Sequence, residues 1–328
     1  MMQRRDLMKM LAGSSLSAIG LGTSSAALAQ GAGGTTRLLV GATPGGGTDL
    51  VARALAYELA VRLKRNFLVE NRPGAAGNLA AGAVAKADTD GSVLLLSYTS
   101  HAINAALFPK LPFDPVKDFT PLSLVASSPL MLVARPTLKA ANLRELVAQS
   151  QAKSGAMPLS IAVAGVGSAN HLAGEMLRVE TGLDLVSVPY KGAAPAVADV
   201  MGSQVDLLFS NMATVQQLVR AGKVKALAVS TAQRLASFPD VAPVAELLPG
   251  FDYSSWYGLF GPAGLSPELA AQIAAATKGS LAAPEFQQRL LSEGLTPIGS
   301  TPAEFGQFIR QEILRWTKVV AVTGAKPA

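Results

Sequence analysis

Four short segments of this chain bring glycine, serine and threonine to places where a helix is about to start. They are Thr43-Pro44-Gly45-Gly46-Gly47-Thr48-Asp49, Ser97-Tyr98-Thr99-Ser100, Gly165-Val166-Gly167-Ser168 and Gly192-Ala193-Ala194-Pro195. The chemistry open to such segments is anion binding. A helix N-terminus offers unpaired N–H groups and about half a positive charge. Glycine lets an anion approach the backbone closely, and hydroxyl side chains add donors. One such segment says little, because short strand-to-helix loops are rich in these residues anyway. Four together are more informative: converging on one cleft, they could hold a carboxylate without arginine.

Bond-making chemistry finds less support. Residues 45–49 lack the Gly-Lys-Ser/Thr ending of a nucleotide-binding loop, and Gly165-Val166-Gly167-Ser168-Ala169-Asn170 breaks the dinucleotide fingerprint at its third glycine. No Gly-x-Ser-x-Gly elbow follows residue 29, and His-Glu-x-x-His is absent. Ser168 and His171 could form a nucleophile–base pair at a helix start, but nothing identifies an acidic orienter, so packing or a first-turn hydrogen bond is the plainer role of His171. His101 has the same plain reading. Asp49 reads either as a ligand contact or as a first-turn acid favoured by the helix dipole. Trp256 and Tyr257 read as cleft lining or, more simply, as core. The chain has no cysteine and two histidines, which excludes thiolate chemistry and leaves little room for an imidazole metal site. No metal and no cofactor is expected.

Positioning these segments requires alternating strands and helices, and the sequence supplies them. Strands are expected over 37–41, 67–70, 93–97, 130–134, 159–163, 185–189, 205–209, 225–230 and 256–260. A helix opens at Thr48 or Asp49 as N-cap and carries Leu50, Val51, Ala54, Leu55, Leu59 and Leu63 at helical spacing. Further helices are expected over 99–108, over 143–153, from 168 to about 180 and from 190–195 onward. Pro109, Pro112, Pro115 and Pro121 mark an irregular stretch. Ser266-Pro267 starts another helix, and Thr301-Pro302-Ala303-Glu304 is a capping box for the last one. The alternation argues for an α/β fold with largely parallel sheets.

The 328 residues exceed one ordinary domain and suit two. Charged residues make up only 15%, against 49% apolar, which excludes a disordered chain. Aromatic residues, at 5%, are too few for a stacking platform on single-stranded nucleic acid. Residues 1–9 are short and basic, 10–22 are apolar and small, and Ala27-Leu28-Ala29 fits signal cleavage before Gln30. Gln3-Arg4-Arg5-Asp6-Leu7-Met8-Lys9 resembles a twin-arginine export signal, a plain secretory signal being the alternative. Residues 1–29 are therefore expected to direct the chain to the periplasm, with no lipid anchor. Their removal lowers the net charge from +6 to +4, a mild bias rather than the clustered basic face of a nucleic-acid binder.

The mature chain closely resembles the tripartite tricarboxylate transporter receptors, also called the Bug family of periplasmic solute-binding proteins. The likeness runs through Pro44-Gly45-Gly46-Gly47-Thr48-Asp49 with Ala52-Arg53, Val69-Glu70-Asn71-Arg72-Pro73-Gly74-Ala75-Ala76-Gly77 and Leu111-Pro112-Phe113-Asp114-Pro115. It continues through Gly165-Val166-Gly167-Ser168, Val188-Pro189-Tyr190-Lys191-Gly192, Gln204-Val205-Asp206 and Gly258-Leu259-Phe260-Gly261-Pro262-Ala263-Gly264. The resemblance implies a two-lobed, type II-like Venus flytrap, each lobe a mixed, mostly parallel sheet flanked by helices. Lobe one would span 30–128 and 256–328, and lobe two 129–255. It implies capture of a small carboxylate, no enzymatic activity, and delivery to a membrane permease of one large and one small transmembrane subunit, or service as a sensor. A monomer without nucleic-acid partners is expected. Carried over residue by residue, the ligand site falls on Gly46, Gly47, Thr48 and Asp49, on Ser97, Thr99 and Ser100, on Gly165, Gly167 and Ser168, on Ala193 and Ala194, and on Ser210 and Asn211. Many relatives carry an aromatic residue where Ala42 stands and an aspartate where this chain has Ser210-Asn211. Those departures favour a plain carboxylate over an amino acid.

Overall fold

The computed structural model describes residues 34–108, 110–151 and 157–326. The expected export segment 1–29 lies outside the described residues, as do Pro109 and the end of the helix expected over 143–153. In chain order the elements are β1 (Thr35–Val40), α1 (Gly47–Leu63), β2 (Asn66–Asn71), α2 (Asn78–Val84), β3 (Val93–Tyr98), α3 (Ser100–Leu107) and β4 (Phe119–Ala134). Then follow α4 (Leu143–Gln151), β5 (Leu159–Val163), α5 (Ala169–Thr181), β6 (Leu185–Pro189), α6 (Ala193–Met201), β7 (Leu207–Asn211), α7 (Met212–Arg220) and β8 (Lys225–Val229). The chain closes with β9 (Ser254–Pro262), α8 (Pro267–Leu281), α9 (Pro284–Ser292), β10 (Thr296–Pro297) and α10 (Pro302–Thr323).

The strands form one path, β2-β1-β3-β9-β4-β7-β5-β6, with β8 and β10 also on β4. β1, β2 and β3 are parallel, as are β5, β6 and β7. β4 joins the two groups. Its first part pairs antiparallel with β9, from Phe119 opposite Pro262 to Pro129 opposite Ser254. Its last five residues pair antiparallel with β7 and reach β8. β4 is the main departure from expectation, since only 130–134 read as strand. Pro121 and Pro129 argue against a strand locally. The register shifts on β4 between Pro121 and Ser123, and again between Leu124 and Ala126, and Pro129 stands where β4 changes partners. Irregular positions of this kind tolerate a missing N–H.

Period-two alternation divides each strand between two helical layers. Leu38 and Val40 face α1 and α8, whereas Leu39 faces the layer of α2, α3 and α10. Along β4, Leu130 and Leu132 join that second core, which continues under α5, whereas Met131 and Val133 meet α6 and α7. Both chain passages between the halves meet at Ser230. Its N–H donates to the Leu130 carbonyl at 2.8 Å, its hydroxyl accepts from the Leu130 N–H at 2.9 Å and donates to the Tyr253 carbonyl. Helix α10 is held to β9 by Glu312, which is buried and receives the indole N–H groups of both Trp256 and Trp316 at 2.8 Å.

His101 takes the plain role. Its Nε2 lies 2.9 Å from the Pro115 carbonyl oxygen and so carries the hydrogen, while Nδ1 has no partner. Phe113, Phe119 and Phe260 surround the ring. Burial depresses its pKa to about 4, against the opposing pull of the Pro115 contact. Between that value and the usual 6.5 the unfolded chain binds the proton and the folded one does not. Stability is therefore complete above about pH 6.5 and declines as the pH falls toward 4, by roughly 3 kcal/mol from this residue alone. Urea unfolding at pH 7 and pH 4.5 should show a smaller loss in His101→Phe than in the parent protein. Equal losses would mean that His101 titrates as an ordinary histidine.

Candidate functional site

The C-terminal ends of β1, β2 and β3 point the same way. Because β9 runs antiparallel to β3, Tyr98 at the end of β3 stands opposite Tyr257 near the start of β9. Tyr257 in turn stands opposite Ala126 of β4. In the other half, Asn211 at the end of β7 stands opposite Leu130 of β4, and β5 and β6 run parallel to β7. The loops that leave these six strands therefore project toward one waist, near residues 126–131 of β4. Crevices outside the carboxyl ends of strands are where open α/β sheets bind ligands.

Five helices that begin on this side have no side-chain cap: α1 after Gly46, the short α2 after Gly77, α3 after Thr99, α6 after Gly192 and α7 after Asn211. By contrast α8 and α10 are capped, by Ser266 and by the Thr301–Glu304 box. The α1 start is a built feature. Gly46, not Thr48 or Asp49 as expected, is its N-cap. Gly45 and Gly46 are exposed and Gly47 is half-buried, while Thr48 and Asp49 are buried. Asp49 points back into the protein: its carboxylate accepts from Gly45 N and Arg53 Nε at 3.0 Å and from Asn71 Nδ2 at 3.0 Å. Burial opposes its ionisation, yet the Arg53, Gly45 and Asn71 hydrogen bonds prevail and hold it below the usual carboxylate range. Asn71 also donates to the Ala42 carbonyl, so the β1 loop is tied to the end of β2.

Among the remaining expected residues, Thr99 accepts the Trp256 N–H at 2.9 Å, which fastens β3 to β9. Ser97 lies opposite Gly258, and Ser100 is the first residue of α3; both are buried. The 165–168 loop keeps its polar groups largely to itself. Ser168 N donates to Gly165 O, Gly167 N donates to His171 Nδ1 at 3.2 Å, and Ser168 Oγ accepts from His171 N. Ser168 thus caps α5, and the His171 ring is engaged by a backbone N–H rather than by that hydroxyl. Gly167 has φ +77°, and a Cβ there would lie 2.5 Å from Leu107 of α3, so the loop touches the other half of the sheet where only glycine fits.

Asn211 and Gly47 come together directly. A Cβ on Gly47 would lie 2.6 Å from Tyr257 Oη and 3.9 Å from Asn211 Nδ2. Asn211 donates to Tyr257 Oη at 3.1 Å and accepts from Ser255 Oγ at 3.2 Å. Ser210 is buried opposite Met131. Ala193 and Ala194 open α6, and among the described residues no hydrogen bond joins them to this group. The sequence left Tyr257 between cleft lining and, more simply, core; it is 2% exposed, and its hydroxyl lies beside Asn211 and Gly47. Sequence reasoning also left out Ala75 and Ala76, which take left-handed conformations with φ of 46° and 52°. Such strain in alanine gathers at functional sites. Among the described residues no group of three acidic or histidine side chains could hold a metal ion.

Residues 51–324 match the family model of the tripartite tricarboxylate transporter family receptor. The chain is similar to Protein BugT of Bordetella pertussis (strain Tohama I), 36% identical over 293 residues, which are 88% of this chain and 89% of that one. It is similar in structure to R. palustris Rpa4515 solved with adipate, at 30% identity and a TM-score of 0.82, covering 90% of this chain and 99% of that one. MatC from Rhodopseudomonas palustris, with bound malate, is 34% identical with a TM-score of 0.78, covering 88% of this chain and 99% of that one.

The Asp49 brace has a measurable consequence. Asp49→Ala leaves the Gly45 N–H, the Asn71 amide and Arg53 without their acceptor, and should cost about 1–3 kcal/mol in urea unfolding. A loss below roughly 0.5 kcal/mol would show that the loop does not depend on this carboxylate.

Proposed function

The chain belongs to the tripartite tricarboxylate transporter receptor family, and we propose that it is a periplasmic receptor that captures a small organic carboxylate at the waist. The family is one of binding receptors rather than enzymes. One observation carries the ligand class: helices from both halves of the sheet start, without side-chain caps, where six strand ends converge. Open N–H groups with a favourable dipole suit an anion. Arg53, the cation beside the α1 start, is already paired with Asp49, so the amides rather than a free cationic side chain supply the charge complement. Adipate in one relative and malate in another support the same class.

The two lobes proposed are 30–128 with 256–328, and 129–255. The first boundary coincides with the point where β4 changes partners, and the second falls just inside the start of β9. The ligand meets the α1 start and the β3–α3 turn first. The 165–168 loop then closes from the other lobe against α3. Closure takes the anion out of water into oriented donors, where charge-assisted hydrogen bonds are strong. The loaded form, with both lobes drawn together, is the one that docks on a permease of one large and one small membrane subunit. Residues 1–29 export the chain and are cleaved after Ala29. Among the described residues no helix is long and apolar enough to cross a membrane.

Titration calorimetry with acetate, malate, adipate, citrate, aspartate and glucose tests this reading. At least one of the plain carboxylates should bind, with glucose silent and aspartate weaker than the best plain acid. Heat from glucose alone would refute it.

A further inference from the structure

Resting on the carboxylate-receptor reading, we propose that the Tyr257 hydroxyl donates directly to the captured anion and that Asn211 is the positioning residue that aims it. Tyr257 is 2% exposed, and its oxygen accepts the Asn211 Nδ2–H at 3.1 Å. Asn211 is held in that orientation by Ser255, whose hydroxyl donates to Oδ1. With its oxygen facing the amide N–H, the phenol sends its own hydrogen elsewhere, and among the described residues it donates to no acceptor. The neighbour at this point is Gly47, where an added Cβ would lie 2.6 Å from Oη and 3.5 Å from Cζ. The phenol oxygen therefore sits against the first residue of α1, whose start has no side-chain cap.

Two independent features thus meet at one point: an uncapped helix start, and a buried hydroxyl whose hydrogen has no acceptor among the described residues. A buried donor left unpaired is costly, so the arrangement is completed by an acceptor. Burial pushes the Tyr257 pKa up to about 12, although the Asn211 hydrogen bond works the other way. The hydroxyl therefore stays a neutral donor throughout the working range of pH. A helix start alone attracts any anion with little preference of direction, whereas a phenol fixed by its amide partner adds a defined one.

The consequence is a selection rule. At this point the α1 start and the phenol hydrogen are donors, and the one nearby amide oxygen, Asn211 Oδ1, is engaged by Ser255. An ionised carboxylate oxygen pairs with both donors. A ligand ammonium placed there would meet the phenol hydrogen donor to donor and leave it without a partner. The ligand class is thus an acid whose carboxylate, rather than an ammonium substituent, occupies the α1 start.

Calorimetric titrations of the parent protein, Tyr257→Phe, Asn211→Ala and the double variant test this, using whichever of acetate, malate, adipate or citrate binds the parent most tightly. NMR of the parent protein labelled with 13C at tyrosine Cζ follows the phenol itself. Tyr257→Phe should weaken Kd by about tenfold to a hundredfold, the usual worth of a hydrogen bond to a charged group. Asn211→Ala should weaken it less, and should add nothing in the Tyr257→Phe background. The Tyr257 Cζ resonance should move on saturation. If the parent binds an acid while Tyr257→Phe stays within twofold and Cζ does not move, the proposal fails and the receptor reading stands. If the parent binds none of the four acids, both fail. Should Tyr257→Phe not fold, the Cζ shift in the parent decides alone.

Discussion

The arrangement of this protein depends on β4 being one strand with antiparallel partners in both halves. Its 16 residues run without a break from β9 and β3 on one side of Pro129 to β7 and β8 on the other. Each half then attaches its parallel strands by ordinary crossover connections, which run antiparallel to β4 in the second half and, through β9, parallel to it in the first. The result is geometric: the C-terminal ends of both parallel sets point at the middle of β4. No side chain needs to arrange this, because pairing direction alone does. Ser230 then binds the second chain passage to the first at that same place, through Leu130 and Tyr253, and it is wholly buried. The waist is therefore two adjacent chain passages joined by short hydrogen bonds, and not a loose linker.

What the waist presents follows from how helix ends are satisfied. The first N–H groups of a helix need partners from outside the helix. Away from the waist the chain provides them for α8 with Ser266 and for α10 with Thr301 and Glu304, though not for α9, which starts at Ala283. At the waist it does not, for α1, α2, α3, α6 and α7. An exception clarifies the pattern. Ser168 caps α5, and its loop is closed further by Gly167 donating to His171. That loop is accordingly better suited to covering a guest than to binding one through its own amides. Asp49 and Arg53 add a second electrostatic point. They neutralise each other beside the glycine loop, so the loop is braced without adding net charge to the place where an anion would sit.

Local rules revealed much of the fold. β3, β5 and β6 read correctly as short apolar runs, and the last helix as a capping box followed by an apolar stripe. The first half of β4 did not read as strand, because proline is judged against regular pairing and β4 meets its prolines at irregular positions. The N-cap of α1 was misplaced because hydroxyl and carboxylate residues are favoured at caps, whereas here the carboxylate of Asp49 reaches back to Gly45. The partners that shape the site lie far apart in sequence, Asp49 with Asn71 and Asn211 with Tyr257. No periodicity reports such pairs. Residue types at helix starts supplied the loops as candidates, the family resemblance agreed with them, and the structure distinguishes the braced, the capped and the open ones among them.

Trp256 and Tyr257 show how the hidden core sets the visible site. Adjacent residues on a strand face opposite sides. Trp256 lies in the core with Phe305 and Trp316, and Tyr257 in the one with α1 and Leu259. Glu312 binds both indoles from the α10 side, and Thr99 receives the Trp256 N–H from the end of β3. Two elements, α10 and the end of β3, thus fix which face Trp256 takes. Once that is fixed, the pleat leaves Tyr257 no choice: its ring must cross to the α1 side, and its hydroxyl must arrive beside Gly47. A slip of one residue in β9 would send a tryptophan toward α1 and leave Glu312 without one of its two indole donors, two penalties from a single error. The buried carboxylate on α10 therefore acts at a distance, by holding the register that brings a phenol to the start of α1.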